Sequence, residues 1–150
     1  MINSRFAVAI HILALLDASK EMHTTSEFLA QSIGTNPVVV RRIAKLLEHA
    51  GLIEIHAGVG GSELRQPLAQ IRLLDVYRAV EGTTESNSLF AIHDHPHPAC
   101  PVGAHIQATL EESFAQAQQA LEAVLAQQTM ADITEGLAQR SSATLAKSSI

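Results

Sequence analysis

Hydrophobic residues return every three or four positions through the first third of the chain, and this spacing predicts consecutive helices. The first predicted helix spans about residues 4–18. Thr24, followed three residues later by Glu27, forms a capping box that predicts the start of a second helix, which ends at Gly34. The apolar face of the first helix carries Phe6, Ile10, Leu13 and Leu16.

A third helix is predicted over Pro37–Ala50. Asn36 precedes it and can cap its free N–H groups, and proline suits the first helical position. Gly51 follows and predicts the end of the helix, because glycine readily adopts the left-handed conformation found there. Two short helices joined by a tight turn are typical of a helix-turn-helix.

A glycine-rich hairpin follows the third helix. Residues 52–56 alternate as a strand, residues 58–61 form the tip, and residues 63–65 return as a second strand. A further helix is predicted over Leu68–Glu81, where Gly82 ends it. This order of elements predicts a winged helix-turn-helix head over residues 1–82, so the fold class is mainly α with a small β wing.

The second half of the chain begins with a polar and His-rich loop over residues 83–101, expected to be extended near its end. A long helix, which pairs two copies of the chain, is predicted from about Val102 to Gln128 within a segment that ends at residue 135. Residues 136–150 are expected to form a flexible tail. The predicted dimer stripe consists of Ile106, Leu110, Phe114, Leu121 and Leu125.

The charge distribution agrees with this division. The net charge is −5, which by itself does not favour contact with DNA phosphates. Residues 1–78 nevertheless hold eight of the ten basic residues against seven acidic ones, whereas residues 79–150 hold two basic against eight acidic residues. We therefore expect the N-terminal half to be the part that meets DNA.

The only long apolar run near the N-terminus, Phe6–Leu16, is too short to span a bilayer and lacks the features of a signal peptide, so it predicts a core helix. Cys100 is the single cysteine, which excludes an intrachain disulfide and suits a reducing compartment. We expect a cytoplasmic protein without a membrane segment.

The third predicted helix has two faces. Val40, Ile43 and Leu47 recur on the side that should pack on the preceding helices, and a cationic side lies opposite. Such a face is either merely solvated or reads DNA; the capped turn before it and the hairpin after it favour DNA. The candidate DNA-binding residues are Arg5, Thr25, Thr35, Asn36, Val38, Arg41, Arg42, Lys45, His56, Gly60, Gly61 and Arg65.

The sequence resembles the Rrf-type (Rrf-two) family of bacterial winged-helix regulators over nearly all of residues 4–82. The matching segments are SRFAVAIHILALL, FLAQSIGTNPVVVRRIAKLLEHAGLI, GVGGSELRQP and IRLLDVYRAVEG. The resemblance implies a homodimer that binds operator DNA through the third helix and the wing, and that pairs through the long C-terminal helix. The segment LFAIHDHPHPACPVG is similar to the YwnA-like branch of this family.

Two positions depart from the family pattern. Many members carry Arg just before the wing glycine, where this chain has Ala57, so minor-groove contact is expected to be weaker or to come from His56 or Arg65. Other members bind an iron–sulfur cluster through three cysteines placed before the long helix. Because this chain has Cys100 alone, no multi-cysteine cluster is expected, and no cofactor is assigned with certainty.

The loop before the long helix contains the chemistry that could regulate the protein. In an extended segment His93, His95 and His97 would face one side and could, with Cys100, bind a divalent transition metal such as zinc, nickel or copper. The alternative is that these histidines are simply exposed. Cys100 could also be a redox or electrophile sensor, because a helix N-terminus favours the thiolate. The alternative there is a small buried thiol.

The sequence thus predicts a homodimeric, sequence-specific transcriptional regulator, a repressor that binds a palindromic operator in double-stranded DNA. A second interpretation is a metal-binding or protein-assembly module that uses the winged fold without binding DNA. An enzyme is not indicated, because the chain has no nucleophile–base motif and its glycine-rich stretch lies in a hairpin rather than before a helix.

Overall fold

The computed structural model describes residues 4–58, 60–82 and 90–148. The chain forms six α-helices and a two-stranded antiparallel sheet within these ranges, so the mainly α fold with a small β wing is confirmed. A membrane-spanning helix is not found in the described part of the chain. The elements are α1 (Arg5–Ala18), α2 (Ser26–Ile33), α3 (Pro37–His49), β1 (Ile53–Ile55), β2 (Ser62–Leu64), α4 (Leu73–Glu81), α5 (Pro101–Gln127) and α6 (Met130–Ser148).

The core of the head is aliphatic and lies where α1, α2, α3 and α4 meet. Leu13, Val40, Leu47 and Val76 are fully buried in it. An edge-to-face contact between Phe6 and Tyr77, with ring centroids 5.6 Å apart, adds to the packing of α1 on α4. Each fully buried aliphatic side chain stabilises the head by about 1.5–3 kcal/mol. This packing fixes which side of α3 remains exposed.

The start of α2 differs from the prediction. Thr25 is the N-cap residue, and its Oγ1 accepts a hydrogen bond from the backbone N–H of Phe28 at 3.2 Å. The predicted capping box of Thr24 and Glu27 is therefore wrong. Thr24 is instead 3% exposed and turns its hydroxyl away from the helix, towards the wing. Either of the two adjacent threonines could cap α2. Because Thr24 is buried and bonded to the wing, Thr25 is the cap.

The turn before α3 and the end of α3 follow the prediction. Asn36 Oδ1 accepts a hydrogen bond from the backbone N–H of Val39 at 3.0 Å, so Asn36 is the N-cap. Gly34 and Gly51 both have φ of 77°, a left-handed conformation that few other residues adopt without strain. Gly51 is thus positioned to reverse the chain from α3 into β1.

The wing is a short hairpin. β1 and β2 pair in antiparallel register, with Ile53 opposite Leu64 and Ile55 opposite Ser62. The backbone N–H of His56 donates to the carbonyl oxygen of Gly61 at 3.0 Å and closes the loop. β1 is shorter than predicted, since the ladder begins at Ile53 and ends at Ile55, and β2 has the predicted length but begins one residue earlier, at Ser62.

The helix predicted over Leu68–Glu81 is interrupted. A single 3₁₀ turn at Leu68–Gln70 is followed by extended backbone at Ile71 and Arg72, after which α4 begins. Ile71 is fully buried, and Arg72 pairs as an isolated bridge with Thr129. The hydrophobic periodicity of the segment predicts a helix, but pairing with residues 128–130 keeps Ile71 and Arg72 extended.

The end of α5 returns to the head through that bridge. Leu73 N–H donates to the carbonyl oxygen of Gln128 at 2.9 Å, and Met130 N–H donates to that of Ile71 at 2.8 Å. Met130 itself is fully buried in the head core. The core of the head therefore includes a residue that lies far beyond Gly82 in sequence.

Residues 136–148, within the segment expected to be a flexible tail, form part of α6. The helix begins with a reciprocal cap, in which Thr129 N–H donates to Asp132 Oδ2 at 2.8 Å and Asp132 N–H donates to Thr129 Oγ1 at 3.3 Å. The later residues are rich in Ala, Leu, Gln, Arg and Lys, which favour helix over coil. Their polarity suggested a tail, but a capped and anchored start propagates the helix through them.

Candidate nucleic-acid interface

The two faces of α3 are separated as predicted. Val40, Ile43, Ala44 and Leu47 are all buried, at 4% exposure or less. Because α3 is held by this face, the opposite side is presented to solvent. The exposed side carries Val38, Arg41, Arg42 and Lys45.

Val38 is the apolar member of this exposed side. Its side chain is 59% exposed, one helical turn before Arg42. A branched apolar side chain gains nothing from exposure to water, since its burial would contribute about 1.5–3 kcal/mol. Its exposure leaves it accessible to another molecule.

The cations of α3 differ in their surroundings. The guanidinium of Arg41 lies 3.0 Å from Oε1 of Glu27 on α2, in an exposed ion pair. Arg42 and Lys45 form no ion pair with any residue in the described ranges. Exposed pairs contribute about 0.2–1 kcal/mol, so Arg41 can leave Glu27 at little cost. Arg42 and Lys45 need no rearrangement to meet an anionic ligand.

Backbone geometry adds to this positive surface. The N-terminus of α3 begins at Pro37, and the positive end of the helix dipole favours an anion such as phosphate there. Asn36 lies at this end, but its Oδ1 is already occupied by the cap. Thr35 is half-buried beside it, and its N–H donates to the carbonyl oxygen of Ala30 at 3.0 Å.

The candidate residues of the wing are exposed or close to its tip. His56 Nε2 lies 3.3 Å from Oε1 of Glu63, so the carboxylate partly offsets the charge of a protonated His56. Gly60 and Gly61 have φ of 74° and 94°, which the tight tip requires. Arg65 follows β2 and is exposed. With Ala57 at the tip, Arg65 contributes a permanent positive charge to the wing, and His56 contributes an exposed imidazole.

Two further candidates have structural partners. Thr25 caps α2, as described above. The guanidinium of Arg5 lies 3.2 Å from Oε2 of Glu81 and so links the start of α1 to the end of α4. These two residues therefore have structural roles within the head, apart from any contact with DNA.

The histidines before α5 do not form the predicted metal site. His95 has φ of 61°, which breaks the extended alternation needed to place His93, His95 and His97 on one side. His97 Nδ1 accepts a hydrogen bond from the N–H of Ala99 at 3.2 Å and belongs to a turn. Within residues 4–58, 60–82 and 90–148, no group of three His, Cys, Asp or Glu residues is arranged to hold a metal ion.

Cys100 occupies the predicted position at the N-cap of α5 and is exposed, so the alternative of a buried thiol is wrong. Hydrogen bonds from the backbone N–H of Gly103, and then of Val102, lower the pKa of the Cys100 thiol. A Cβ at residue 103 would come 2.5 Å from the carbonyl oxygen of His97. Gly103 therefore permits the close approach of the first turn of α5 to the backbone of His97, a role that the sequence pattern does not indicate.

The outer helix α5 carries an apolar stripe that the chain itself covers only in part. None of its residues is buried, although the helix runs over Pro101–Gln127. The predicted stripe residues are all half-buried: Ile106, Leu110, Phe114, Leu121 and Leu125. Val102 and Val124 are more exposed, at 68% and 55%.

Next to this stripe, α5 contacts α4 through polar groups, and Leu125 of the stripe packs against the core of the head. The guanidinium of Arg78 lies 2.6 Å from Oε2 of Glu122, and Gln118 Nε2 donates to the hydroxyl of Tyr77 at 3.3 Å. The hydrogen bonds from Arg78 and then Gln118 lower the pKa of Glu122. These contacts join the outer helix to the head that carries α3.

Comparisons with known proteins agree with this geometry. A family model described as Rrf2, an iron-dependent transcriptional regulator, matches residues 2–136. YwnA of Bacillus subtilis (strain 168), named as a proposed HTH-type transcriptional regulator, is 49% identical over 137 residues, which are 91% of this chain and 99% of that protein. Both names support the expectation of a regulator rather than an enzyme.

Two solved structures share the fold. The crystal structure of a proposed transcriptional regulator from Lactobacillus plantarum is 30% identical and superposes with a TM-score of 0.81, covering 99% of each chain. The structure of CymR, named the global cysteine regulator of B. subtilis, is 21% identical with a TM-score of 0.63, covering 90% of this chain and 96% of that one. The second likeness concerns the fold alone.

The family description names iron, which would need suitable donor atoms in this chain. Cys100 is its only thiol, and the histidines nearest to it in sequence do not converge with it. Iron–sulfur clusters need several thiolates. The donor set does not fit such a cluster.

The structure contains a capped helix-turn-helix, a two-stranded wing and a long outer helix. The family model matches residues 2–136, which include all three. The chain belongs to the Rrf2 family of transcriptional regulators and has its DNA-binding winged-helix fold.

Proposed function

We propose that this protein is a homodimeric, sequence-specific repressor that inserts α3 into the major groove of a palindromic operator. The observation that carries the proposal is the exposed side of α3, where Val38 lies beside Arg41, Arg42 and Lys45. Cations there would contact phosphates and guanine edges, and Val38 would contact a thymine methyl group. Arg65 and His56 on the wing would contact the flanking backbone or minor groove.

A second copy of the chain is the proposed partner of α5. The stripe that contains Leu110, Phe114 and Leu121 is too apolar to stay half-exposed on a helix of 27 residues. A symmetric pair of these helices would bury both stripes and present two α3 helices. Such heads bind half-sites about 34 Å apart along one face of DNA.

Arg42 provides the test of the recognition surface. The probe is the duplex that the wild-type protein enriches from a random-sequence library. We expect Arg42→Ala to weaken binding by at least about fivefold and to reduce the salt dependence of binding by about one unit, because one cationic contact is lost. Fluorescence anisotropy over a range of salt concentrations measures both.

Arg140→Ala is the matched control, because it removes the same charge from an exposed position on α6. Its affinity and salt slope should equal those of the wild type. If Arg42→Ala binds as tightly as Arg140→Ala, then α3 does not read DNA in the proposed way. If the wild type enriches no duplex, operator binding itself is wrong.

The proposed switch is the Cys100 thiolate. Its exposure and its N–H donors favour reaction with a peroxide: the sulfur attacks one oxygen, the O–O bond breaks, the other oxygen leaves as water or an alcohol after taking a proton, and the sulfur becomes a sulfenic acid. The added oxygen would disturb the close packing of Gly103 on His97. A shift at the start of α5 would change the spacing of the two heads and release the operator.

A further inference from the structure

The wing is fastened to the helix-turn-helix by a reciprocal pair of hydrogen bonds. Thr24 Oγ1 donates to the carbonyl oxygen of Ser62 at 2.8 Å, and the N–H of Ser62 donates back to the carbonyl oxygen of Thr24 at 3.2 Å. Thr24 is the one buried polar residue of the described chain, at 3% exposure. A buried hydroxyl is retained where it has a specific partner, because an unpaired one costs about 1–3 kcal/mol.

The place of Thr24 in the chain gives this contact its importance. The next residue, Thr25, caps α2, so two consecutive threonines attach β2 and the start of α2 to the same stretch of backbone. Gly61 strengthens the junction, since a Cβ there would lie 3.2 Å from Cε1 of His23 and 3.4 Å from the carbonyl oxygen of Thr24. The backbone of the wing thus approaches the segment before α2 as closely as glycine allows.

Separate contacts hold the other strand of the hairpin: Ile53 is fully buried in the core, and the N–H of Ile55 donates to Oε1 of Glu48 on α3 at 3.1 Å. β1 and β2 have three residues each, and a hairpin of two short strands is only marginally stable by itself. Its tip residues, Ala57 and Gly58, are exposed. Glu48 thus ties β1 to α3, and the Thr24–Ser62 pair ties β2 to the segment before α2, so the angle between the wing and α3 depends on both attachments.

We propose that Thr24 is a positioning residue of the wing. By holding β2, it places His56 and Arg65 where the wing and α3 can contact the same operator together. The inference rests on the proposed function, because it concerns how the wing and α3 bind the operator together. Thr24 would touch no DNA, since it is buried. Its effect on binding would pass entirely through the wing.

A double-mutant cycle on the enriched duplex tests the inference. Thr24→Val keeps the shape of the side chain and removes the hydroxyl, and we expect it to raise the Kd by about fivefold, within the range of coupled neighbouring sites. Thr24→Ser restores the hydroxyl and should bind within about twofold of the wild type. The decisive backgrounds are His56→Ala/Arg65→Ala, which lacks the wing contacts, and Arg42→Ala, which lacks a contact from α3.

In the His56→Ala/Arg65→Ala background, Thr24→Val should cause almost no further loss of affinity for the duplex. In the Arg42→Ala background, it should cause the same loss of about fivefold as in the wild type. A merely structural effect on folding would lower affinity equally in both, and that result overturns the inference. Gly61→Ala is the second variant, because its Cβ pushes the wing from the other side of the junction. It should show the same dependence on the background even if Thr24→Val folds poorly.

Failure of the two proposals can be told apart. If the wild type enriches a duplex and Arg42→Ala weakens it, but Thr24→Val and Gly61→Ala bind normally, only the positioning role is wrong. If the wild type enriches no duplex, operator binding is wrong and the positioning role falls with it. Thermal unfolding of each variant, followed by circular dichroism, reports the folded fraction used to correct each Kd.

Discussion

At the scale of single residues, the side chains of the proposed recognition surface on α3 divide into those that would supply affinity and one that is suited to supply specificity. Arg42 and Lys45 are exposed cations, and phosphate contacts of this kind are largely independent of sequence. Val38 is apolar and 59% exposed. It can distinguish bases only by the shape of their edges, and thymine is the base with a methyl group in the major groove.

Val38 leads to a prediction about one base pair of the operator. Replacing thymine by uracil at the contacted position removes one methyl group, and the loss of its burial, about 0.8 kcal/mol, should weaken wild-type binding by about fourfold. Val38→Ala should bind the thymine and uracil duplexes alike. Anisotropy titrations with uracil placed at each thymine in turn make the measurement.

Stability provides the control for this prediction. Because Val38 is exposed, Val38→Ala should change the free energy of unfolding by no more than about 0.5 kcal/mol. If no uracil substitution distinguishes the wild type from the variant, Val38 does not contact a thymine methyl group.

At the scale of secondary-structure elements, local signals predicted most boundaries. The cap at Asn36 and the glycines at positions 34 and 51 define α3 within a residue, because capping is decided by neighbours in sequence. The break before α4 could not be predicted in this way, because it depends on the pairing of Arg72 with Thr129, which are distant in sequence. Thr24 was misassigned for the same reason, since its partner is Ser62. The start of α6 does carry a local signal, the reciprocal cap of Thr129 and Asp132.

The candidate site was predicted to a similar degree. Helical periodicity is enough to place Val38, Arg41, Arg42 and Lys45 on the exposed side of α3. The pairing of Arg41 with Glu27 joins two helices and has no local signal. The metal-site prediction is wrong because alternating histidines face one side only in extended backbone, whereas His95 has a left-handed conformation.

The first turn of α5 leads to a prediction about pH. The N–H groups of Gly103 and Val102 stabilise the Cys100 thiolate and so lower the pKa of the thiol. More thiolate is then present at neutral pH than for an ordinary cysteine, and alkylation should reach half its maximal rate at a lower pH than for an ordinary cysteine. Mass spectrometry after timed reaction with iodoacetamide across pH measures this midpoint.

Gly103→Ala is the informative variant. Its Cβ would clash with the carbonyl oxygen of His97, so the turn must open and the N–H donors must move away from the sulfur. The pKa of Cys100 should rise, and alkylation at neutral pH should slow. Ala104→Gly, one residue later on the exposed surface, should leave the midpoint close to that of the wild type. An unchanged midpoint in Gly103→Ala would show that the donors do not control the thiol.

At the scale of the whole molecule, the head and the outer helices are joined tightly. Arg78 contacts Glu122, and the backbone of Ile71 and Leu73 contacts that of Gln128 and Met130. A movement of α5 must therefore reach the head, which carries α3. The proposed dimer uses this connection, because the outer helices would set the distance between the two DNA-binding surfaces.

The dimer can be tested with two substitutions on α5. Leu121→Asp places a charge in the apolar stripe, and we expect it to shift the protein from dimer to monomer, since an unpaired charge in an interface costs several kcal/mol, about 3–5. Ala123→Asp adds the same charge two residues away at an exposed position. It should remain dimeric. Sedimentation velocity gives the mass of each.

This comparison also tests operator binding. The monomeric variant should bind the enriched duplex far more weakly, because two linked heads hold one site with a high effective concentration. If Leu121→Asp stays dimeric, the interface lies elsewhere. If it is monomeric and binds as tightly as the wild type, one head is sufficient and the palindromic operator is wrong.

Met130 has a consequence for building chimaeric regulators from this fold. Grafting residues 4–82 onto a foreign effector would leave empty the space that Met130 fills beside Ile71, and such a cavity costs about 2–5 kcal/mol. A recombinant head must therefore bring along the strand-like segment around Thr129 and the start of α6. The winged head and the outer helices can therefore be exchanged only together.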